Sequence, residues 1–182
     1  MKRIIAFFVL AATLAFAGKP PQATLASAYD NDLTSAGKEI VSLAETMPED
    51  KYNFAPSAGE FTGVRTFGQQ MRHIAAVNYE VAAALLGEKN PVEMGTNENG
   101  PDSLASKDAI VKFLKDSFTY SHKALATITE KNVMGEVQSP FGQGKAARAT
   151  LATIFAWHSF DHYGQAVVYA RMNGVIPPAS RR

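Results

Sequence analysis

The sequence predicts an all-α protein, a four-helix bundle that follows a cleavable signal peptide. Four long segments repeat apolar residues at three- and four-residue steps, and no segment shows a strand-like alternation of useful length. Polar segments rich in Gly, Pro and Asn separate the four, as loops between helices would. The 182 residues, 46% of them hydrophobic, are enough for one domain with a single core.

The N-terminal stretch has the layout of a secretory signal peptide. A Met-Lys-Arg start precedes an apolar run over residues 4–16, and Ala-Phe-Ala at 15–17 forms a small-x-small cleavage pattern. The run is too short to span a bilayer comfortably, which disfavours a membrane anchor. We therefore expect residues 1–17 to be removed. Residues 18–182 would then form the bundle domain, exported to the periplasm or the extracellular space without a stable membrane anchor.

Charge and cysteine content exclude several classes of protein. The chain has 18 Lys and Arg against 17 Asp and Glu, and cleavage would leave 16 against 17. A nearly neutral protein lacks the basic surface that binds nucleic acid, so no nucleic-acid partner is expected. The chain contains no cysteine. Disulfides and thiolate ligands are thereby excluded, and any metal site must use His, Asp, Glu or backbone oxygen.

Helix boundaries follow from apolar spacing together with capping and stop signals. Pro48 stops the first helix, Gly87 the second and Gly174 the fourth, while Ser106 is the expected N-cap of the third. The expected helices run over residues 25–47, 65–86, 106–130 and 146–173.

Two histidines four residues apart make the fourth helix the first candidate for a metal site. His158 and His162 lie about 40° apart and one turn along the helix, so both imidazoles can bind one ion. His73 interrupts an otherwise inward-facing stripe of the second helix. Three neutral imidazoles would leave coordination positions open, as at a catalytic or ligand-binding ion. Buried histidines that are only hydrogen-bonded, without an ion, remain the alternative.

Three further polar residues are candidates for roles beside the histidines. Glu80 lies two turns beyond His73 on the same stripe, and Asp161 lies on the flank of the His158 stripe. Both are candidate catalytic residues that would transfer protons or support the ligands. Gln165 is a candidate for orienting His162 or for binding a cofactor or ligand.

Two other residues near this chemistry have simpler interpretations. His122 has polar neighbours on the third helix and is expected at the surface rather than as a fourth ligand. Trp157, next to His158, is expected either to form a wall of the pocket or to pack in the core.

These residues resemble the DinB-like family of bacterial four-helix proteins, over most of the chain from about Tyr29 to Pro178. The most specific match is Trp-His-Ser-Phe-Asp-His-Tyr-Gly-Gln at residues 157–165, which continues to Pro177-Pro178. A second match runs from Met-Pro-Glu-Asp-Lys-Tyr at residues 47–52 to His73. The resemblance implies that His73, His158 and His162 are ligands of a divalent ion, with nickel or zinc expected first.

The resemblance also implies possible homodimers and two kinds of activity. Members are described as metal-dependent hydrolases, and one branch transfers low-molecular-weight thiols such as bacillithiol or mycothiol, whose pKa the metal lowers. An exported chain would meet little reduced thiol, so the substrate stays open. Two functions are therefore expected as alternatives. One is a metal-dependent hydrolase or transferase acting on a small molecule, and the other is a non-catalytic module that binds a metal or a small ligand.

Overall fold

The computed structural model describes residues 23–181, and in this part of the chain the four-helix prediction is confirmed. The helices are α1 (Leu25–Thr46), α2 (Phe67–Leu86), α3 (Lys107–Leu125) and α4 (Arg148–Met172). Short 3₁₀ turns occur at Glu49–Lys51, Thr96–Glu98 and Pro178–Ser180. No helix in the described range is long and apolar enough to cross a membrane. The predicted signal peptide, residues 1–17, lies outside the described residues and stays a prediction.

Local capping chemistry fixes the start and the end of α2. The Thr66 hydroxyl accepts a hydrogen bond from the Gln69 N–H, and the Gln69 side chain accepts one from the Thr66 N–H. This reciprocal capping box satisfies two N–H groups at the start of the helix. Gly87 ends the helix at φ 69°, a left-handed conformation that glycine adopts without a Cβ clash. Because both ends are capped, His73 occupies a defined position, seven residues after Thr66.

The third helix is shorter than predicted. It begins after Ser106, whose side chain caps the Ala109 N–H as expected, but it ends at Leu125 rather than near residue 130. The Asn132 amide explains the early end, because it donates to the carbonyl of Thr127 and accepts from the N–H of Thr129. A side chain that bonds nearby backbone groups offers them an alternative to the helix.

A small β-hairpin, which was not predicted, begins in the expected loop over residues 131–144 and ends within the expected fourth helix, so that helix begins at Arg148 rather than near residue 146. Strand β1 (Glu136–Gln138) pairs antiparallel with β2 (Lys145–Ala147), and Val137 lies opposite Ala146. Three-residue strands are too short to show a readable alternation of apolar and polar residues. The hairpin leads directly into α4 and packs beside the C-terminal half of α2.

Helices α2 and α4 run antiparallel, and this places the histidines opposite one another. The Arg148 guanidinium at the start of α4 donates to the carbonyl of Leu85 at the end of α2, at 2.7 Å. Near the other end, the side chains of Gln70 and Gln165 are joined at 3.0 Å. The surrounding core consists of large side chains that are almost fully buried: Leu33, Ile40, Leu43, Met71, Ile74, Leu114, Leu151 and Phe155.

Candidate metal centre

The three predicted histidines meet in one cluster between α2 and α4. Their ring centroids are 4.6 to 5.0 Å apart, and one ligand nitrogen from each lies within 4.8 Å of the others. His73 Nε2 and His158 Nε2 are 3.1 Å apart. Two nitrogens about 2.1 Å from a shared ion would be about 3.0 Å apart at 90° and about 3.4 Å apart at the tetrahedral angle. The cluster therefore fits ligation of one ion.

Hydrogen bonds set the tautomer of two of the three rings. His73 Nδ1 lies 2.8 Å from the carbonyl oxygen of Glu98, and His162 Nδ1 lies 2.5 Å from Oε1 of Gln70. Both oxygens can only accept, so each Nδ1 carries the proton of a neutral ring and donates it. The lone pair is then on Nε2, the nitrogen left to bind a metal.

Gln70 belongs to a chain of side-chain hydrogen bonds that reaches the surface. Its Nε2 donates to Oε1 of Gln165, and the Nε2 of Gln165 donates to Oδ2 of Asp161 at 3.3 Å. Gln70 is only 1% exposed, whereas Gln165 and Asp161 are exposed. The structure thus connects Gln165 and Asp161 to His162 through Gln70. Gln70 was not among the predicted site residues, although a polar residue one turn before His73 on a largely buried helix was a usable signal.

A polar loop on the other side of the cluster positions His73. Asn97 and Glu98 adopt left-handed φ values of 54° and 59°, which are unfavourable for residues with a Cβ. Arg65 holds this loop, donating from Nε to Asn99 Oδ1 at 2.7 Å and from Nη2 to the Asn97 carbonyl at 2.8 Å. The next carbonyl, that of Glu98, receives the His73 proton. Arg65 was not among the predicted site residues, because its partners lie more than 30 positions away.

His158 differs from the other two ligand candidates. Its Nδ1 is shielded from solvent, and among residues 23–181 it has no hydrogen-bond partner. A shielded polar atom without a partner is unfavourable, and His158 lacks the orienting hydrogen bond that the other two rings have. The neighbouring Trp157 is 58% exposed with its ring 5.9 Å from that of His158. Trp157 therefore lies at the edge of the site and does not pack in the core.

The surroundings keep the imidazoles uncharged. Burial lowers the pKa of His158 to about 3 and that of His162 to about 4, and it also lowers the pKa of His73. Burial is the largest cause of each pKa shift. The Arg65 guanidinium contributes to all three, and neighbouring imidazoles contribute to those of His158 and His162, because each disfavours another positive charge. Neutral imidazole is the form that binds a metal, so the site is ready for an ion at neutral pH.

Two other predicted residues lie apart from the cluster. Glu80 forms no described hydrogen bond with the three histidines, and its side chain lines a separate cavity beside the hairpin. Burial, and then the nearby Glu98 carboxylate, raise the pKa of Glu80. His122 pairs with Asp30 at 2.5 Å, and its side chain is 37% exposed, so it occupies a surface position as expected.

The fold and the site define a class: a helical bundle with a three-histidine cluster between two antiparallel helices. A family model described as the DinB superfamily matches residues 32–166, more than half of the chain. The chain therefore belongs to the DinB superfamily, as the resemblance implied. A search of curated proteins gave no significant match.

Solved structures share this fold at low sequence identity. A DinB-like protein from Bacillus cereus ATCC 10987 superposes with a TM-score of 0.67 and 18% identity, covering 85% of this chain and 96% of its own. A DinB-like protein from Bacillus subtilis gives 0.62 and 18%, covering 85% and 99%. A conserved protein from Enterococcus faecalis gives 0.65 and 16%, covering 83% and 98%. At these identities the likeness concerns the fold alone.

The lowered histidine pKa values predict acid sensitivity of the metal-free protein. Unfolded histidine has a pKa of about 6.5, so the unfolded state takes up protons first as the pH falls. The contribution of the neutral histidines to the free energy of unfolding should be complete above about pH 6.5. It should decrease as the pH falls toward about 4. Urea denaturation with a chelator at several pH values would measure this. His158→Asn with His162→Asn should flatten the profile, whereas His122→Asn should not. Equal acid sensitivity in the double variant would contradict the assignment.

Gln70 should control the affinity of the site for metal. Gln70→Leu keeps a side chain of similar size but removes the acceptor for His162 Nδ1. We expect metal binding about 10- to 100-fold weaker, as for other losses of a partner that orients a ligand histidine. Gln70→Glu retains an acceptor oxygen and should bind nearly as well as the wild type. Competition with a chromophoric chelator measures both affinities, and unchanged affinity in Gln70→Leu would exclude this role.

Proposed function

We propose that this protein holds one divalent metal ion on His73, His158 and His162 and acts as a metal-dependent hydrolase or transferase on a small molecule. The observation that carries the proposal is the convergence of the three rings, with two Nδ1 protons already donated to oxygen acceptors. An all-imidazole ligand set suits nickel or zinc. Three protein ligands leave at least one position open for a substrate.

Each group at the site would have a separate role. A divalent ion held there supplies Lewis acidity, which lowers the pKa of a water or thiol bound beside it. Gln70 and the Glu98 carbonyl orient two imidazoles, and the positive charge of Arg65 favours anionic groups near the cluster. Asp161 and Gln165 lie on the exposed side. There, the Asp161 carboxylate would accept a proton and Gln165 would bind a polar group of the substrate.

A non-catalytic module that binds a metal or a small ligand is the second candidate. It is favoured by one observation: within residues 23–181, no carboxylate forms a hydrogen bond or ion pair with any of the three histidines. Glu80, the predicted base on α2, lines another cavity. A carboxylate bonded directly to a ligand histidine would hold the ring for catalysis, and binding alone does not need one.

Metal content tests the proposal directly. We expect about one nickel or zinc ion per chain in protein purified without an affinity tag, measured by elemental analysis. His73→Ala and His158→Ala should each lose most of the metal, whereas His122→Ala, outside the cluster, should retain it. Metal well below one ion per chain in the wild type, or equal metal in His158→Ala, would contradict the site.

Turnover by the metal-loaded protein separates the two candidate functions. Hydrolysis of esters or amides, or transfer of a thiol to an electrophile, would identify an enzyme if the activity is lost in His158→Ala. Full metal loading with no turnover across these substrates would favour the binding module.

We also propose a homodimer formed through an apolar face of α4. Trp157, Phe160, Val168 and Met172 are 41% to 58% exposed, and at about 100° per residue they fall within a sector of about 120°, which also carries the exposed charges of Asp161 and Arg171. Large apolar side chains grouped on a surface favour burial against a partner. The sector borders His158, so a second copy would narrow the entrance to the site.

The apolar face of α4 can be tested by its effect on molecular mass. Light scattering should give twice the chain mass, and Trp157→Glu with Val168→Glu should give a monomer, because two buried charges would be unfavourable in the interface. Phe141→Glu adds one charge at an exposed aromatic on the hairpin and should leave the dimer intact. A monomeric wild type at micromolar concentration would contradict the dimer.

A further inference from the structure

We propose that the cavity between α2 and the β-hairpin is a second ligand site, and that it binds a small organic cation with an apolar body. The cavity has a volume of about 530 Å³. This volume falls within the range of small-molecule sites, roughly 300 to 1,000 Å³. Glu80 supplies the anionic group of the site, and most of the lining surface is apolar.

The shape of the cavity follows from small residues on α2 and from the hairpin beside them. Ala83 and Ala84 leave space next to the helix, and Val137 and Pro140 close the opposite side. The hairpin is held in place by backbone bonds at its base, from Arg148 N–H to the Gly135 carbonyl and across the β1–β2 pair. An apolar body such as a phenyl ring would be buried against these side chains.

Glu80 is the charge in this cavity that lacks a counterpart. Its Oε2 is shielded from solvent without a hydrogen-bond partner, and within residues 23–181 no Lys, Arg or His forms an ion pair with it. Glu88 also lines the cavity, but its carboxylate already accepts from Tyr120 at 2.6 Å and from Lys123 at 3.1 Å. Because Oε2 is out of reach of solvent, an ammonium group in the cavity should be bound at the other carboxylate oxygen, Oε1, where it would neutralise the unpaired charge.

This cavity is separate from the histidine cluster. None of the three histidines lines it, and Glu80 lies about 10 Å along α2 from His73, at about 1.5 Å per residue. The inference therefore does not rest on the metal. Amine binding should be equal in the metal-free and the metal-loaded protein, so the two proposals can fail independently.

Calorimetry on the full chain with three ligands of similar shape tests the proposal. The probes are 2-phenylethylamine, the neutral 2-phenylethanol and the anionic 3-phenylpropionate. We expect the amine to bind at least about tenfold more tightly than the alcohol, because a hydrogen bond between charged groups contributes about 1.5–3 kcal/mol. The carboxylate should bind weakest.

Variants of the lining residues show whether ligands bind in this cavity and whether Glu80 causes the preference for the amine. Glu80→Gln should abolish the preference for the amine over the alcohol. Glu93→Gln makes the same change in charge at an exposed loop residue outside the cavity, and should retain the preference. Ala84→Phe should fill the cavity and weaken both ligands. The proposal is overturned if the amine shows no binding at millimolar concentration, if the alcohol binds equally well, or if Glu80→Gln leaves the preference unchanged.

Discussion

The rest of the site depends on one constraint. Three imidazole rings are packed between two helices, and all of them must stay uncharged. Rings 4.6 to 5.0 Å apart would repel one another if protonated, and each buried nitrogen needs a partner. Gln70 and the Glu98 carbonyl meet this need for His162 and His73. They also leave the lone pairs of those rings on Nε2. The same hydrogen bonds that make burial tolerable thus prepare the cluster to bind an ion.

The partners of the histidines show how the cluster is held in place from two directions. On one side, the Gln70 amide joins α2 to α4 and continues through Gln165 to the exposed Asp161. On the other side, Arg65 holds a loop in which two residues have left-handed backbone conformations. Strain of this kind persists only where the surrounding contacts determine it. The orientation of His73 is therefore a property of the loop as much as of α2.

Helix α2 carries two chemically different regions along one face. Near its start, amide and imidazole groups satisfy one another beside α4, whereas near its end small alanines leave a cavity under the hairpin. Glu80 belongs to the second region, although its spacing from His73 suggested the first. Seven residues return a side chain to the same face of a helix but move it about 10 Å along the axis. A shared stripe is therefore weak evidence for a shared site.

The sequence by itself determined the four helices, most of their ends and the three histidines, because these follow from local rules. Apolar periodicity, the Ser106 cap, the Gly87 stop and the four-residue spacing of His158 and His162 all act within a turn or two of the chain. The hairpin and the early end of α3 were missed because three-residue strands and one Asn132 side chain give no periodic signal. Only the tertiary structure decided which polar groups meet. Gln70 and His162 are 92 positions apart, and Arg65 reaches Asn99 across 34. Such contacts depend on how α2, α4 and the 97–99 loop pack together, which no local pattern encodes.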